Sequence, residues 1–117
     1  MNPLKILVVD DYPLAIDSLK RILERRGYDV RLAENGKIGF DLFTKNPCDV
    51  VITDYKMPMM NGLEMAEAIK KISPQTKIVM LTATEMNSSP FLNMIAYKPI
   101  SAESIEKILA FIAQSSA

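Results

Sequence analysis

Four short apolar runs, each followed by a polar side chain, constrain the fold of this chain more than any other feature of its sequence. The runs are rich in β-branched residues, which is typical of strands that are buried on both faces. Such strands form parallel sheets that are covered by helices on both sides. The runs occupy residues 6–9, 50–53, 78–81 and 95–97.

The polar residues that follow these runs form a candidate reactive site. In open parallel sheets the ligand binds beyond the carboxyl ends of the strands, where the strand order changes direction. Three carboxylates, a hydroxyl and an amine should therefore meet at one edge of the sheet. These groups belong to Asp10, Asp11, Asp54, Thr82 and Lys98.

The composition excludes several other kinds of site. None of the 117 residues is a histidine, so there is no histidine base, metal ligand or phosphohistidine. Cys48 is the only cysteine, which excludes an internal disulfide and a cysteine-built metal site. The formal net charge is zero, and nothing suggests binding to nucleic acid or to an anionic membrane. The apolar runs are too short to span a bilayer and no secretory signal is visible, so we expect a cytoplasmic protein.

Strands and amphipathic stretches alternate about five times, which is the rhythm of an α/β domain. Residues 1–117 are most simply one domain. Strands are predicted over residues 6–9, 28–33, 49–53, 77–81 and 94–97, with the second at a sheet edge because it is partly polar. Helices are predicted to begin at Pro13, near Lys37, after Gly62 and near Ser101, which is a good N-cap.

Each predicted helix has an apolar stripe that should face the sheet. The stripes are Ala15, Leu19, Ile22 and Leu23; Ile38, Leu42 and Phe43; Met65, Ala66, Ile69 and Ile72; and Ile105, Ile108, Leu109 and Ile112.

The segment over residues 84–93 lacks a helical stripe. Pro90 permits at most one short helical turn there, capped by Ser89. We therefore predict a loop between the fourth and fifth strands. Phe91, Leu92 and Met94 should cover one face of these two strands in place of a helix.

The adjacent carboxylates Asp10 and Asp11 have two possible roles. One aspartate after a strand often caps the next helix. A second one is not needed for capping, and hard oxygen ligands clustered at a sheet edge suit Mg²⁺. Asp54 could be a turn residue by itself, but beside a metal it becomes a candidate nucleophile for aspartyl-phosphate formation.

Thr82 and Lys98 are ambiguous when each is considered alone. Thr82 could be a structural hydroxyl, and Lys98 a solvated surface lysine. Together at the sheet edge they could stabilise a transferred phosphoryl group, whose charge is spread over three oxygens.

The combined motifs ILVVDD, DVVITDYKMPMMNGLEM, IVMLTAT and YKP resemble the receiver domain of bacterial two-component response regulators over essentially the whole chain. The resemblance implies a flavodoxin-like, doubly wound α/β fold with a five-stranded parallel sheet in the order 2-1-3-4-5. It also implies a cis peptide bond between Lys98 and Pro99. The family's fourth helix should be shortened or missing here.

The resemblance also assigns roles to individual residues. Asp10 and Asp11 would be the Mg²⁺-binding pair, and Asp54 would be the phospho-acceptor and a further metal ligand. The backbone carbonyl of Lys56 would complete the metal site. The switch hydroxyl and the phosphate-contacting amine would be Thr82 and Lys98.

Two further positions depart from the family pattern. An aromatic switch residue often lies three positions before the lysine, where this chain has Ile95. The usual glycine–alanine pair before strand five is also missing. Tyr97 is aromatic and should project from the same side of the strand as Ile95. We expect intact phosphorylation chemistry and an altered output surface.

The resemblance implies phosphorelay signalling, in which a histidine kinase or histidine phosphotransfer protein donates a phosphoryl group to Asp54. No enzymatic activity beyond self-phosphorylation and dephosphorylation is implied. No room for an output domain remains after Ser116, so we expect signalling through a downstream protein partner, without direct contact to nucleic acid or membrane. An excised piece of a longer protein is the other possibility.

Three other functions remain as alternatives. A receiver-like interaction scaffold without a phosphorylation-dependent switch is favoured by the short segment before strand five. A nucleotide- or flavin-binding domain is disfavoured because none of the glycines forms a phosphate-binding run. A haloacid-dehalogenase-type phosphatase would need Asp-x-Asp-x-Thr after the first strand, where this chain has Asp10-Asp11-Tyr12.

Overall fold

The computed structural model describes residues 3–115, except for the side chains of residues 13 and 15. The role predicted for the Ala15 side chain lies outside this description. Five parallel strands form one sheet in the order β2-β1-β3-β4-β5. The strands are β1 (Lys5–Val9), β2 (Asp29–Ala33), β3 (Val50–Thr53), β4 (Lys77–Thr82) and β5 (Met94–Tyr97). The predicted doubly wound sheet, its order and the edge position of β2 are confirmed.

The described residues contain four α-helices, of which three connect successive strands and the last follows β5. They are α1 (Asp17–Arg25), α2 (Gly36–Lys45), α3 (Gly62–Ile72) and α4 (Ala102–Ser115). The helical segment that begins at Pro13 is first a 3-10 turn (Pro13–Ile16), and the α-helix begins only at Asp17. No helix among the described residues has both the length and the apolar character that crossing a membrane requires.

Side-chain caps fix the starts of the later helices. The Asn61 side chain accepts from the Glu64 N–H at 2.8 Å, and the Glu64 carboxylate accepts from the Asn61 N–H at 3.0 Å. This reciprocal capping box satisfies two N–H groups that a helix start leaves free. The Ser101 hydroxyl accepts from the Ser104 N–H at 3.1 Å, as expected for the predicted N-cap.

The sheet has a hydrophobic core on each face. One core lies under α1 and α4, around Leu19, Leu23 and Ile108; the other lies under α2 and α3, around Phe43 and Met65. The β1, β3 and β4 strands contribute to both cores, because successive residues point to opposite faces. Burial on both faces explains their continuous apolar sequence.

Two residues of the predicted apolar stripes are exposed. Ile38 in the first turn of α2 is 38% exposed, and Ile72 at the end of α3 is 57% exposed. The apolar spacing identified the correct side of each helix. The spacing could not show which residues near a helix end stay accessible to solvent, so the burial predicted for these two side chains is wrong.

The connection between β4 and β5 contains no α-helix. Its only tight turn lies around Pro90, where the Leu92 N–H donates to the Ser89 carbonyl at 3.1 Å. The predicted loss of the fourth helix is confirmed. Phe91 and Leu92 pack on the core under α2 and α3, but Met94 packs on the opposite core. The common location predicted for the three side chains is therefore wrong, because the alternation of β5 places Met94 on the same face as Ala96.

Gly62 allows the start of α3 to approach the end of β3. A Cβ atom at this position would overlap the backbone carbonyl of Asp54, at a separation that real Cβ atoms do not show. The backbone N–H of Gly62 donates to the Tyr55 carbonyl at 2.8 Å. This hydrogen bond holds the loop after Asp54 against the helix that follows it, and the absence of a side chain at Gly62 permits the close approach.

We predict that Gly62→Ala lowers the free energy of unfolding by about 1–3 kcal/mol, because the added methyl group must displace rigid backbone. Urea denaturation measures the change. Gly27→Ala is the matched control, since Gly27 has φ 89° and open space around its Cα. The control should lose about 1 kcal/mol from backbone strain alone. Equal stability of Gly62→Ala and the wild type would contradict the close approach.

Candidate functional site

The end of β1 supplies two carboxylates in different environments. Asp10 is buried, and its backbone N–H donates to the Ala33 carbonyl at 3.0 Å. Its Oδ1 accepts from the Tyr12 N–H at 2.8 Å. Asp11 is exposed to solvent. Neither aspartate occupies the N-cap position of the 3-10 turn or of α1, which belong to Tyr12 and Ile16. The capping role considered for this pair is therefore wrong.

The end of β3 places Asp54 beside Asp10. The Asp54 N–H donates to the Val9 carbonyl at 3.0 Å, which ties the two strand ends together. Its Oδ1 accepts from the Tyr55 N–H at 2.7 Å. The side chain is 15% exposed, so it can be reached from solvent while its orientation is fixed by the backbone.

Lys98 bridges two of these carboxylates. Its Nζ lies 2.6 Å from Asp10 Oδ2 and 3.2 Å from Asp54 Oδ2. Burial alone would lower the pKa of Lys98, but its hydrogen bonds to Asp10 and Asp54 outweigh burial and raise the pKa above its ordinary value. The ammonium group therefore keeps its charge at neutral pH. The peptide bond to Pro99 is cis, as the family resemblance implied.

Three carboxylates form a candidate cation site. Asp10, Asp11 and Asp54 each offer an oxygen, and these oxygens lie within 4.8 Å of one another. The Lys98 ammonium group offsets only part of their negative charge. Hard oxygen ligands in this arrangement fit a divalent cation such as Mg²⁺.

Thr82 and Lys56 lie at the same edge of the sheet. Thr82 is buried at the end of β4, and its hydroxyl accepts from the Thr84 N–H at 3.1 Å. The Thr82 carbonyl accepts from the Lys98 N–H at 2.9 Å. Lys56 is exposed and lines a cleft together with Asp11 and Asn61. The strand ends thus bring Asp10, Asp11, Asp54 and Lys98 together, whereas the roles of Thr82 and of the Lys56 carbonyl stay predictions.

The match to a family model covers most of the chain. Residues 6–109 match the model described as the response regulator receiver domain. The chain belongs to this family. The receiver domains of two-component response regulators act in phosphorelay signalling, which agrees with the acidic site.

Several proteins and structures are similar to this receiver. Response regulator MprA from Mycobacterium sp. (strain KMS) is 39% identical over 83 residues, which cover 71% of this chain and 36% of MprA. Response regulator protein PilR from Pseudomonas aeruginosa is 36% identical over 83 residues, which cover 71% of this chain and 19% of PilR. The receiver thus spans about a third or less of the length of these curated relatives.

Solved structures match the receiver over nearly its full length. A CheY-like response regulator receiver domain protein from Methanospirillum hungatei superposes with a TM-score of 0.86 at 27% identity, covering 97% of each chain. TrrA from Thermotoga maritima, in complex with Mg²⁺ and BeF, gives a TM-score of 0.82 at 33% identity. That match covers 93% of this receiver and 98% of TrrA.

The backbone groups that orient the carboxylates were not predicted. The N–H groups of Tyr12 and Tyr55 each bind an aspartate that lies one or two residues earlier. Such local bonds are typical of aspartate at a turn. The position of each aspartate directly after a strand could therefore have predicted that a following backbone N–H binds its carboxylate. Cys48 has no comparable role: burial raises the pKa of its thiol to about 12, which keeps it protonated.

We predict opposite effects on thermal stability from two neutral variants at the end of β1. Asp11→Asn should raise the melting temperature without Mg²⁺ by about 3 °C, because Asp11 adds like-charge repulsion that Lys98 does not offset directly. Asp10→Asn should lower it, because Lys98 loses its 2.6 Å partner. Calorimetry in a metal-free buffer provides the measurement.

Mg²⁺ completes this experiment. The ion should raise the melting temperature of the wild type by mass action, and both variants should respond less. If both variants melt below the wild type in metal-free buffer, repulsion among the carboxylates is not a destabilising feature of the site.

Proposed function

We propose that this receiver accepts one phosphoryl group on Asp54, from a phosphohistidine of a histidine kinase or histidine phosphotransfer protein. The observation that carries the proposal is the position of Lys98 Nζ, 3.2 Å from Asp54 Oδ2 and 2.6 Å from Asp10 Oδ2. The partly accessible Asp54 carboxylate can act as the nucleophile. The Lys98 ammonium group beside it can stabilise the negative charge of the incoming phosphoryl group.

The transfer forms a bond between phosphorus and an oxygen of Asp54, and it breaks the phosphorus–nitrogen bond of the donor. Asp54 Oδ1 is held by the Tyr55 N–H, whereas Oδ2 faces Lys98. Attack by Oδ2 would place the transferred oxygens within reach of the Lys98 ammonium group. Thr82, at the end of the neighbouring strand, would donate its hydroxyl hydrogen to another phosphoryl oxygen. Charge stabilisation of this kind is the main catalytic contribution in phosphoryl transfer.

Mg²⁺ fits the carboxylate cluster as the cofactor. Asp10, Asp11 and Asp54 would hold it, and the backbone carbonyl of Lys56 would be a further ligand. When bound, Mg²⁺ neutralises negative charge on the phosphoryl group and helps to orient it. Support comes from the donor set itself and from the similarity to TrrA, which was crystallised with Mg²⁺ and BeF.

The partners follow from this chemistry. One similar protein is the autoinducer 1 sensor kinase/phosphatase LuxN of Vibrio harveyi, 35% identical over 77 residues that cover 66% of this chain and 9% of LuxN. We infer a histidine-phosphorylated donor in the cytoplasm, a downstream protein partner, and no direct contact with nucleic acid or membrane. We also infer that the receiver promotes only its own phosphorylation and dephosphorylation.

A receiver-like scaffold is the second candidate function. The connection over residues 83–93, which has no helix, favours it, because a receiver without its fourth helix has lost part of the family's usual output surface. The scaffold would bind partners equally well with and without a phosphoryl group. The two candidates differ in whether Asp54 is phosphorylated and in whether the protein then changes.

We predict that phosphoramidate or acetyl phosphate with Mg²⁺ adds one phosphoryl group, detected by intact mass spectrometry. Asp54→Ala should remove the labelling, because it removes the acceptor. Asp41→Asn is the matched control, since this carboxylate lies in an exposed ion pair with Lys37 on α2. Equal labelling of Asp54→Ala and wild type would show that Asp54 is not the acceptor.

We also predict a long-lived aspartyl-phosphate. The exposed Lys56 side chain, two residues after Asp54, would obstruct or misorient the attacking water. Lys56→Asn should therefore release phosphate several times faster than wild type, while Lys37→Asn on α2 should not change the rate. A slower or unchanged release rate in Lys56→Asn would count against this role.

A further inference from the structure

The β3–α3 loop, residues 54–61, contains one strained residue. Met59 has φ 73°, and the Met60 N–H donates to the Pro58 carbonyl at 2.8 Å. A hydrogen bond of this span with a positive φ at the central residue forms a classic γ-turn, which is rare and strained. The Met59 side chain is 81% exposed, so its own packing does not hold the turn in place.

Contacts on both sides of the turn hold it instead. The Gly62 N–H donates to the Tyr55 carbonyl at 2.8 Å, which closes the base of the loop. The Met57 and Met60 side chains pack on the core under α2 and α3. A strained backbone persists only where the surrounding structure fixes it. The shape of this loop therefore depends on the elements against which it packs.

The first residue of α2 makes the closest of these contacts. A Cβ atom at Gly36 would overlap the Met60 carbonyl oxygen and lie 2.9 Å from the carbonyl carbon. Both are backbone atoms, which cannot turn aside as the end of a side chain can. Gly36 is buried, and the preceding Asn35 fixes the start of α2, because its side chain accepts from the Ile38 N–H at 2.9 Å. The start of α2 and the β3–α3 loop are thus in direct backbone contact.

We propose that Gly36 is a positioning residue for the acidic site, because its contact with Met60 fixes the β3–α3 loop and thereby the backbone carbonyl of Lys56. This proposal rests on the proposed function, in which that carbonyl is a ligand of Mg²⁺. Gly36 supplies no ligand atom and acts only through the loop.

The physical reason is that Lys56 lies between two fixed points of the loop. Tyr55 is held by its bond to the start of α3, and Met60 is held by its contact with Gly36. A side chain at Gly36 would push the Met60 carbonyl away from α2. The strained turn at Met59 leaves the residues between the fixed points little freedom to absorb this shift. Mg²⁺ demands near-ideal octahedral geometry, so a displaced ligand weakens its binding.

The affinity for Mg²⁺, measured by isothermal titration calorimetry, tests this role. Gly36→Ala should raise the Kd for Mg²⁺ by roughly tenfold, as is typical when a group that orients a ligand is changed. Gly39→Ala is the matched control one turn further along α2, since the nearest atoms to a Cβ there belong to the side chains of Val9 and Met65. The control should lose stability and keep the wild-type Kd. A wild-type Kd in Gly36→Ala, or an equal rise in both variants, would overturn the proposal.

Met59→Gly tests the contribution of the strained turn. Glycine adopts a positive φ without strain, so the loop can then absorb a displaced carbonyl. In this background Gly36→Ala should raise the Kd by a smaller factor than in the wild type. Strictly multiplicative effects of the two substitutions would contradict the coupling. If Gly36→Ala does not fold by itself, the comparison with Gly39→Ala is made in this background, where equal Kd values of the two variants overturn the proposal.

Amide hydrogen exchange in metal-free buffer separates this proposal from the proposed function. Displacement of Met60 should weaken the bond between the Gly62 N–H and the Tyr55 carbonyl at the base of the loop. Gly36→Ala should therefore speed exchange at Gly62 by more than its change in global stability explains, whereas Gly39→Ala should not. Unchanged exchange at Gly62 in Gly36→Ala would overturn the positioning role whether or not Mg²⁺ binds. Faster exchange together with a wild type that binds no Mg²⁺ would support the control of the loop by Gly36 and overturn only the metal site of the proposed function.

Discussion

The site depends on the charge balance between Lys98 and the carboxylates at the strand ends. Lys98 Nζ contacts Asp10 and Asp54, which are separated from it by 88 and 44 residues in the sequence. The carboxylate oxygens of Asp10, Asp11 and Asp54 lie within 4.8 Å of one another, and like charges at this range repel. The lysine reduces the repulsion, yet the site keeps a net negative charge that favours Mg²⁺. The contacts of Lys98 with Asp10 and Asp54 therefore serve both the stability of the site and the proposed phosphoryl transfer.

The backbone around the acceptor is held as firmly as the side chains. The Val9 carbonyl and the Tyr55 N–H fix Asp54 from both sides. Gly62 brings the start of α3 against the Asp54 carbonyl, and the capping box of Asn61 fixes where that helix begins. Preorganisation of this kind matters for phosphoryl transfer, in which positioning and electrostatics supply most of the catalysis.

The β4–β5 connection contains no helix, so a few side-chain hydrogen bonds hold it in place. A helix would satisfy its own backbone groups, whereas this loop relies on Asn93 with Lys70 at one end and on Tyr97 at the other. Phe91 and Leu92 cover the sheet in its place. Few internal backbone bonds make such a segment easy to displace.

The sequence by itself determined the strands, most helix positions, the missing fourth helix and the residues that gather at the strand ends. These features follow from local patterns: β-branched runs, helical spacing, capping residues and Pro90. Only the tertiary structure decided that Lys98 binds Asp10 and Asp54, that Asp10 is buried and Asp11 exposed, and that Tyr97 reaches Met86. It also decided that Ile38 and Ile72 are exposed. A local pattern fixes the direction of a side chain, but its partner depends on how distant segments pack together.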